Sequence, residues 1–160
     1  MLDTSPDKIK AMKRKIQIED FIFNTNSSVE IWGGVGIAAL DWNPIEKNIL
    51  AIATKKTNRL EIWNLDLGKM IGIMDLKTKV LFLKWSPHNP TQLIALERTE
   101  NTASIVKKML VIDYKTEEVR IIYDVMLHFS SISWHPKKPG HYVYGTIEGT
   151  IRICQIDTMA

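Results

Sequence analysis

The chain has 160 residues, a net charge of +3, 45% hydrophobic residues and 24% charged residues, which fits one ordinary globular domain with a sizeable core. No apolar run approaches the length of about 18 residues that a membrane span requires, and the N-terminus lacks the apolar core of a secretory signal. Because Cys154 is the single cysteine there is no internal disulfide framework, and we expect an intracellular protein, cytoplasmic or nuclear, without a membrane partner.

Residues 1–24 form a basic segment that we expect to precede the folded repeats. Five basic side chains fall within the first fifteen residues: Lys8, Lys10, Lys13, Arg14 and Lys15. Ser5, Pro6 and Asp7 suit the start of a helix, so the segment is predicted to be a short basic helix or a flexible arm, with a lead-in strand after it. A solvated arm is the simplest interpretation, and a nuclear-import or nucleic-acid patch or a docking arm for an acidic protein are the alternatives.

Three tryptophan–turn motifs divide residues 25–160 at nearly regular intervals. They are Trp42-Asn43-Pro44, Trp85-Ser86-Pro87 and Trp134-His135-Pro136, and their tryptophans lie 43 and 49 residues apart. Each tryptophan ends a short apolar run at residues 37–42, 80–85 or 129–134, and an apolar residue two positions earlier shares its face of a strand. The proline then ends the strand, because it cannot donate a hydrogen bond to a neighbouring strand.

Further strands follow each tryptophan at matching distances. Eight residues after it begins a nearly continuous apolar run, typical of an inner strand that is covered on both faces, at residues 50–53, 93–96 and 142–145. Third strands are predicted at residues 60–63, 109–112 and 150–153, and fourth strands at 70–73 and 119–123. Four strands in a repeat of about 40–45 residues are typical of β-propeller blades. The sequence therefore predicts an all-β fold of about three antiparallel blades, in repeats at about residues 35–75, 78–124 and 127–157.

The second repeat contains an insertion. From Trp85 to Ile112 is 27 residues, against 21 from Trp42 to Trp63 and 20 from Trp134 to Cys154. The excess falls in the polar residues 98–106, which we predict to form an exposed, mobile loop rather than a core strand.

Two fragments resemble the WD-repeat family. The tripeptide Ile62-Trp63-Asn64 stands where the family has its Trp-Asp pair, and residues 145–153 resemble the family's run between second and third strands. The later repeats have Ile112-Asp113 and Cys154-Gln155 at the Trp-Asp position. The Gly-His pair that usually opens each repeat in the family is missing from this chain. The resemblance covers roughly residues 28–157. It implies a propeller whose blades depend on apolar packing, and a non-catalytic protein-interaction scaffold. Trp42, Trp63, Trp85 and Trp134 would be structural positions of the repeat, and we expect Trp42, Trp85 and Trp134 each to pack between neighbouring sheets.

The resemblance also implies a partner surface. In the family this surface is commonly formed by the loops between second and third strands and by the loops between blades. Here those loops carry Lys55, Lys56, Arg59, Lys77, Lys79, Arg98 and Glu100. A mainly basic rim favours an acidic protein partner, and a nucleic-acid-binding module that uses the rim and the basic arm is the alternative.

The residues that catalysis or metal binding would need do not form a recognisable pattern. The spacing of His88, His128, His135, His141 and Cys154 matches no common metal-ligand motif. Ser130, Ser131 and Ser133 lie near two of these histidines but without the glycines of a nucleophile elbow. Residues 33–36 lack the lysine of a phosphate-binding loop. We therefore predict no enzymatic activity, no metal and no cofactor.

Closure of the propeller is the open question at this level. Closed propellers have about four to eight blades, and the chain supplies three, the third without its last strand. A strand at residues 28–32 would suit the fourth strand of a preceding blade, or would complete the third blade. We expect a piece of a longer chain, an open array that a partner's blades complete, or self-association into a six-blade assembly. Each alternative leaves apolar blade faces exposed on the isolated chain.

Overall fold

The fold consists of antiparallel strands arranged in three sheets. The computed structural model describes residues 36–101, 104–125 and 129–156, and in these ranges there are eleven strands and no helix. The first sheet contains β1 (Ile37–Trp42), β2 (Ile49–Thr54), β3 (Arg59–Asn64) and β4 (Lys69–Asp75). The second contains β5 (Lys79–Trp85), β6 (Gln92–Asn101), β7 (Ser104–Asp113) and β8 (Glu118–Val125). The third contains β9 (Phe129–Trp134), β10 (His141–Thr146) and β11 (Ile151–Gln155). In each sheet, strands that are consecutive in the chain are neighbours.

The strand register confirms the alignment of the three repeats. In every sheet the tryptophan of the first strand stands opposite the residue eight positions later in the second strand, which in turn faces the third strand. The resulting rows are Trp42–Leu50–Trp63, Trp85–Leu93–Ile112 and Trp134–Tyr142–Cys154. The predicted strands are present in all three sheets, and each lies within one or two residues of its predicted start, apart from β7, which begins five residues earlier.

The turn after each tryptophan is held by one side chain at an equivalent position. Asn43 Oδ1, Ser86 Oγ and His135 Nδ1 each accept hydrogen bonds from the backbone N–H groups two and three residues further on, over 2.9–3.3 Å. These bonds close a tight turn that returns the chain antiparallel to the first strand. The prolines at 44, 87 and 136 fit inside this turn because their missing N–H groups are not needed there.

Hydrophobic cores lie between consecutive sheets. The first sheet packs on the second through residues that include Ala51, Leu60, Ile62, Leu83, Trp85, Leu93 and Ala95. The second packs on the third through residues that include Ile94, Leu96, Met109, Ile132, Trp134 and Tyr142. Successive residues of β6 therefore enter opposite cores, and this explains why its sequence is apolar without alternation.

The insertion in the second repeat does not form the predicted loop. Strand β6 continues to Asn101 and β7 begins at Ser104. The two strands are paired over this whole length, and the last pair is Asn101 with Ser104. The prediction was wrong because polar composition was given more weight than pairing. Thr99 stands opposite Val106 and Glu100 opposite Ile105, so the extra residues supply hydrogen-bonding partners to one another and lengthen the hairpin.

Several expectations concern residues outside the described ranges. The basic arm and its helix start, the strand at residues 28–32 and the glycines at 33 and 34 all lie there. The boundary between residues 24 and 25 therefore stays a prediction. Over the three ranges that are described, no helix is long and apolar enough to cross a membrane.

Candidate functional site

The tryptophans of the first strands join consecutive sheets. Trp85 Nε1 donates a hydrogen bond to the backbone oxygen of Asp41 over 3.0 Å, and Trp134 Nε1 donates to that of Lys84 over 3.1 Å. Each acceptor is the residue just before the tryptophan of the preceding sheet. Trp85 and Trp134 are only 3% and 8% exposed, so both lie between neighbouring sheets. A ring N–H needs a partner when buried, and this bond fixes how one sheet sits on the next.

Trp42 occupies the equivalent position in the first sheet but not the equivalent environment. Its side chain lies on the face of the first sheet opposite to the second sheet and is 49% exposed. The expectation that all three tryptophans pack between sheets is thus wrong for Trp42 in the described part of the chain. Trp63 lies in the same row of the sheet, two strands away, and is buried with Leu50 and Ile52. Its Nε1 donates to Glu61 Oε2 over 2.9 Å.

Three lysines of the predicted partner surface meet at one cleft. Lys55 and Lys56 lie in the turn between β2 and β3, and Lys79 begins β5. Together with Ala38, Val80 and Leu81 they line an open cleft of about 650 Å³ at the junction of the first and second sheets. All three lysines are exposed, so the cleft combines a positive rim with an apolar floor.

The other predicted surface residues lie around this cleft without lining it. Arg59 Nε forms an ion pair with Asp75 Oδ1 over 3.0 Å on the outer side of the first sheet. Lys77 is exposed in the link between β4 and β5. Arg98 stands opposite Lys79 across β5 and β6 and is half-buried. Glu100 belongs to β6, but its side chain is not among those described.

A buried carboxyl group that the sequence analysis missed lies beneath the basic rim. Glu97 is opposite Val80, which lines the cleft, and only 4% of it is exposed. Burial raises the pKa of Glu97 above its usual value of 4.5, and the Thr78 hydroxyl and the charges of Lys108 and Lys77 oppose this shift. In the sequence, the one sign of this buried carboxyl group is that an acidic residue directly follows the apolar residues 93–96.

A second cleft lies at the opposite end of the sheets, between the second and third. It has a volume of about 310 Å³, and His88, Asp113, Glu118 and Arg120 contribute to its lining. These groups already have partners: His88 Nε2 donates to His135 O over 3.1 Å, Asp113 accepts from Thr91, and Arg120 pairs with Glu118. Because these side chains already bond to protein groups, few of their polar atoms remain to bind a ligand. No pattern in the sequence predicted this cleft.

The candidate metal and catalytic residues are dispersed or have structural roles. Within the described ranges no three or more His, Cys, Asp or Glu side chains come together as metal ligands would. The rings of His135 and His141 are 6.5 Å apart, and each contacts the backbone of its own turn. Cys154 is partly buried against the core between the second and third sheets. His128 lies outside the described residues.

Comparison with known proteins shows the fold. No family model matches the chain, and no curated protein does. The chain is similar to a chain of the mitotic checkpoint complex, with a TM-score of 0.57 and 16% identity over 75% of this chain and 36% of that one. It is also similar to the Cps50 (Swd1) β-propeller domain of Myceliophteria thermophila, with a TM-score of 0.61 and 19% identity over 76% of this chain and 38% of that one.

The chain thus spans less than two fifths of either propeller chain. The three sheets are blades of a β-propeller, which confirms the predicted fold class and, at the level of the fold, the resemblance to WD-repeat proteins. The comparisons give the nucleic-acid alternative no support.

Proposed function

We propose that the chain is a non-catalytic protein-interaction scaffold that works inside the cell, in the cytoplasm or nucleus, and that its basic cleft binds an acidic segment of a partner protein. The observation that carries the proposal is the convergence of Lys55, Lys56 and Lys79 on one open cleft. Lys79 lies 23 residues after Lys56, and the packing of the second sheet on the first brings it next to the Lys55–Lys56 pair. Of the seven residues predicted for a partner surface, the proposal rests on these three, which line the same cleft.

A backbone hydrogen bond holds the turn that carries two of the lysines. The N–H of Lys55 donates to the backbone oxygen of Gly36 over 2.9 Å, which ties the β2–β3 turn to the start of β1. Gly36 has φ of 66°, a left-handed conformation that glycine adopts without strain. A rim that is already ordered loses less conformational entropy when a partner binds.

The two kinds of surface in the cleft favour a protein as the ligand. Ammonium groups attract carboxylates over a distance and speed the first encounter, but an exposed ion pair contributes only about 0.2–1 kcal/mol. Several such pairs together with an apolar contact are therefore needed for useful affinity. Ala38, Val80 and Leu81 supply that contact, and Leu81 is 40% exposed. An acidic segment that also carries apolar side chains fits both features.

Charge reversal tests the proposal. The full chain and the variant K55E/K56E/K79E are titrated with a short fluorescein-labelled peptide of Glu, Asp and Leu, and fluorescence anisotropy is measured. Three pairs at about 0.2–1 kcal/mol each correspond to a loss of about 3- to 150-fold in affinity. The matched control K115E/K137E/K138E changes the net charge equally but in turns at the other end of the sheets, and we expect it to bind the peptide within a few-fold of wild type.

Other outcomes would count against the cleft. Equal losses in both triple variants would mean that net charge, not the site, governs binding. The nucleic-acid alternative would be favoured if the wild-type chain does not bind the peptide but binds a single-stranded oligonucleotide with an affinity that falls steeply as salt rises. A peptide of the same length with Gln and Asn in place of the acids shows how much of the binding depends on charge.

A further inference from the structure

The first strand of each sheet contains a β-bulge at the same position of the repeat. In each sheet the strand register skips the residue four positions before the tryptophan, and the skipped residues are Ala38, Leu81 and Ser130. A bulge bends the strand and changes the direction of a side chain, and bulges are frequent beside binding sites. Of the three residues only Leu81 has a large apolar side chain, and it is 40% exposed. The bulge of the middle sheet therefore presents one leucine at the surface.

Leu81 belongs to two clefts. One is the basic cleft between the first and second sheets, which Ala38 and Leu81 both line. The other lies between the second and third sheets, where Leu81 and Ser130 both line it, and we call it the apolar cleft. It has a volume of about 130 Å³, and its residues are Leu81, Phe82, Leu96, Phe129, Ser130, Ser131 and Ile132. The two clefts thus lie at equivalent places of consecutive junctions and share the side chain of Leu81.

The lining of the apolar cleft is uncharged and well supported. Among the described residues that line it, none is ionisable. Leu96, Phe129 and Ile132 also belong to the core between the second and third sheets, and Phe82 packs against that core. The ring of Phe129 meets that of Tyr144 edge to face, with centroids 4.9 Å apart. Because these walls are part of a packed core, an apolar group can bind between them at little cost in conformational entropy.

The size of the apolar cleft fits one side chain. A cavity of about 150 Å³ that is lined by apolar side chains can bind a benzene ring. The 130 Å³ of this cleft therefore suits a single leucine, isoleucine or phenylalanine side chain. Packed sheets lie about 10 Å apart, and an extended chain advances about 3.3 Å per residue. A segment that passes over Leu81 from one cleft to the other consequently needs about three residues.

We propose that the apolar cleft receives one leucine, isoleucine or phenylalanine side chain of the same acidic segment that the basic cleft binds. This side chain lies about three residues from the carboxylates that face Lys55, Lys56 and Lys79. The inference rests on the proposed function, because the basic cleft supplies the first of the two contacts. It adds selectivity: many acidic segments are attracted to a basic rim, but only those with an apolar residue at this spacing fill both clefts.

Pairs of fluorescein-labelled peptides that differ at one position test this inference. Each peptide has a run of Glu and Asp, and three residues away from the run it has either Leu or Ala, on the C-terminal side in one pair and on the N-terminal side in a second. Fluorescence anisotropy gives the dissociation constants for the full chain. In the pair with the correct direction, we expect wild type to bind the Leu peptide about 5- to 20-fold more tightly than the Ala peptide, because more apolar surface is buried.

Variants of the lining show where the leucine binds. Leu81→Gln and Phe82→Ala each remove part of the apolar lining, so the ratio between the two peptides should fall to about two or less. Leu67→Gln changes an exposed leucine in the turn between β3 and β4 and is the matched control, and it should keep the wild-type ratio. Circular dichroism identifies an unfolded variant. Leu81→Gln alters a side chain that is already 40% exposed, so it continues the test if Phe82→Ala does not fold.

Different outcomes would overturn this inference and the proposed function. If K55E/K56E/K79E weakens binding but wild type binds the Leu and Ala peptides equally in both pairs, the basic cleft is supported and the apolar cleft is overturned. A preference for Leu that persists unchanged in Leu81→Gln and Phe82→Ala would also overturn it, because the leucine then binds elsewhere. A wild-type chain that binds none of the peptides would overturn the proposed function and this inference together.

Discussion

Truncation of Trp85 to alanine should cost this chain a large part of its stability. The indole lies in the core between the first and second sheets and is 3% exposed. Its ring meets that of Tyr114 edge to face, with centroids 5.8 Å apart and planes at 88°. Its Nε1 bonds the backbone oxygen of Asp41 in the neighbouring sheet. Trp85→Ala removes all three contacts at once and leaves a cavity between two sheets.

The expected loss follows from these contacts. Replacing a buried tryptophan by alanine costs about 3–5 kcal/mol. The aromatic pair contributes about 1 kcal/mol beyond burial, and the oxygen that loses its donor costs about 1 kcal/mol more, so we expect the upper part of that range. Single domains unfold with about 5–15 kcal/mol, so the variant should retain at most about two thirds of its stability. With a urea dependence of about 2 kcal/mol per molar, the midpoint should fall by about 2 M.

The measurement is urea unfolding followed by far-ultraviolet circular dichroism, at a protein concentration too low for copies to associate. Trp42→Ala is the matched control: the same side chain at the same repeat position, but half-exposed, so its loss should cost about 1 kcal/mol. Equal midpoints for Trp85→Ala and wild type would refute the packing described here. Equal losses for the two variants would refute the distinction between covered and open faces.

Three further predictions concern other parts of the sheets. Asn43→Ala removes the acceptor of the first turn and the 2.8 Å bond from Asn43 Nδ2 to the backbone oxygen of Pro90, and should lower the urea midpoint by an amount equal to about 2 kcal/mol. Because burial raises the pKa of Glu97, the folded chain holds that proton more tightly than the unfolded chain, and stability present below pH 4.5 is lost as pH rises through the folded-state pKa. The gain in unfolding free energy from Glu97→Gln should therefore be larger at neutral pH than well below 4.5, and an equal gain at both would contradict the shift. In hydrogen exchange, the backbone amides that pair β6 with β7 should be protected along both strands, as far as the residues next to Asn101 and Ser104. Rapid exchange of these amides would instead support the predicted loop.

The strands could be predicted from sequence because their limits are set locally. Each tryptophan is followed by a turn that contains proline, and the turn itself ends the strand. The eight-residue spacing from Trp42 to Leu50 recurs in the other repeats because the same turn geometry recurs, with Asn43, Ser86 and His135 as the side chains that hold it. These three residues differ in type, so their common role became visible only in the structure.

The environments of the residues could not be predicted in the same way, since they depend on which sheets are adjacent. Trp42 and Trp85 have similar sequence surroundings, yet one is half-exposed and the other buried, because a described sheet covers only the second. The meeting of Lys55 with Lys79 likewise results from packing between sheets and not from spacing in the chain. The hairpin of β6 and β7 was missed because pairing between its own two strands outweighed polar composition.

The hydrogen bond from tryptophan to backbone oxygen runs in the same direction at both junctions between sheets. It gives the stack a polarity, in which one end offers a donor and the other an acceptor. This contact does not set the number of sheets. Whether added sheets close into a ring or continue as a filament depends only on the angle between neighbouring sheets. A substitution far from either end, such as a larger side chain in place of Ala51 or Ala53 between the first two sheets, would change that angle. Small side chains between two sheets would thus help to decide whether a stack of such sheets closes into a ring.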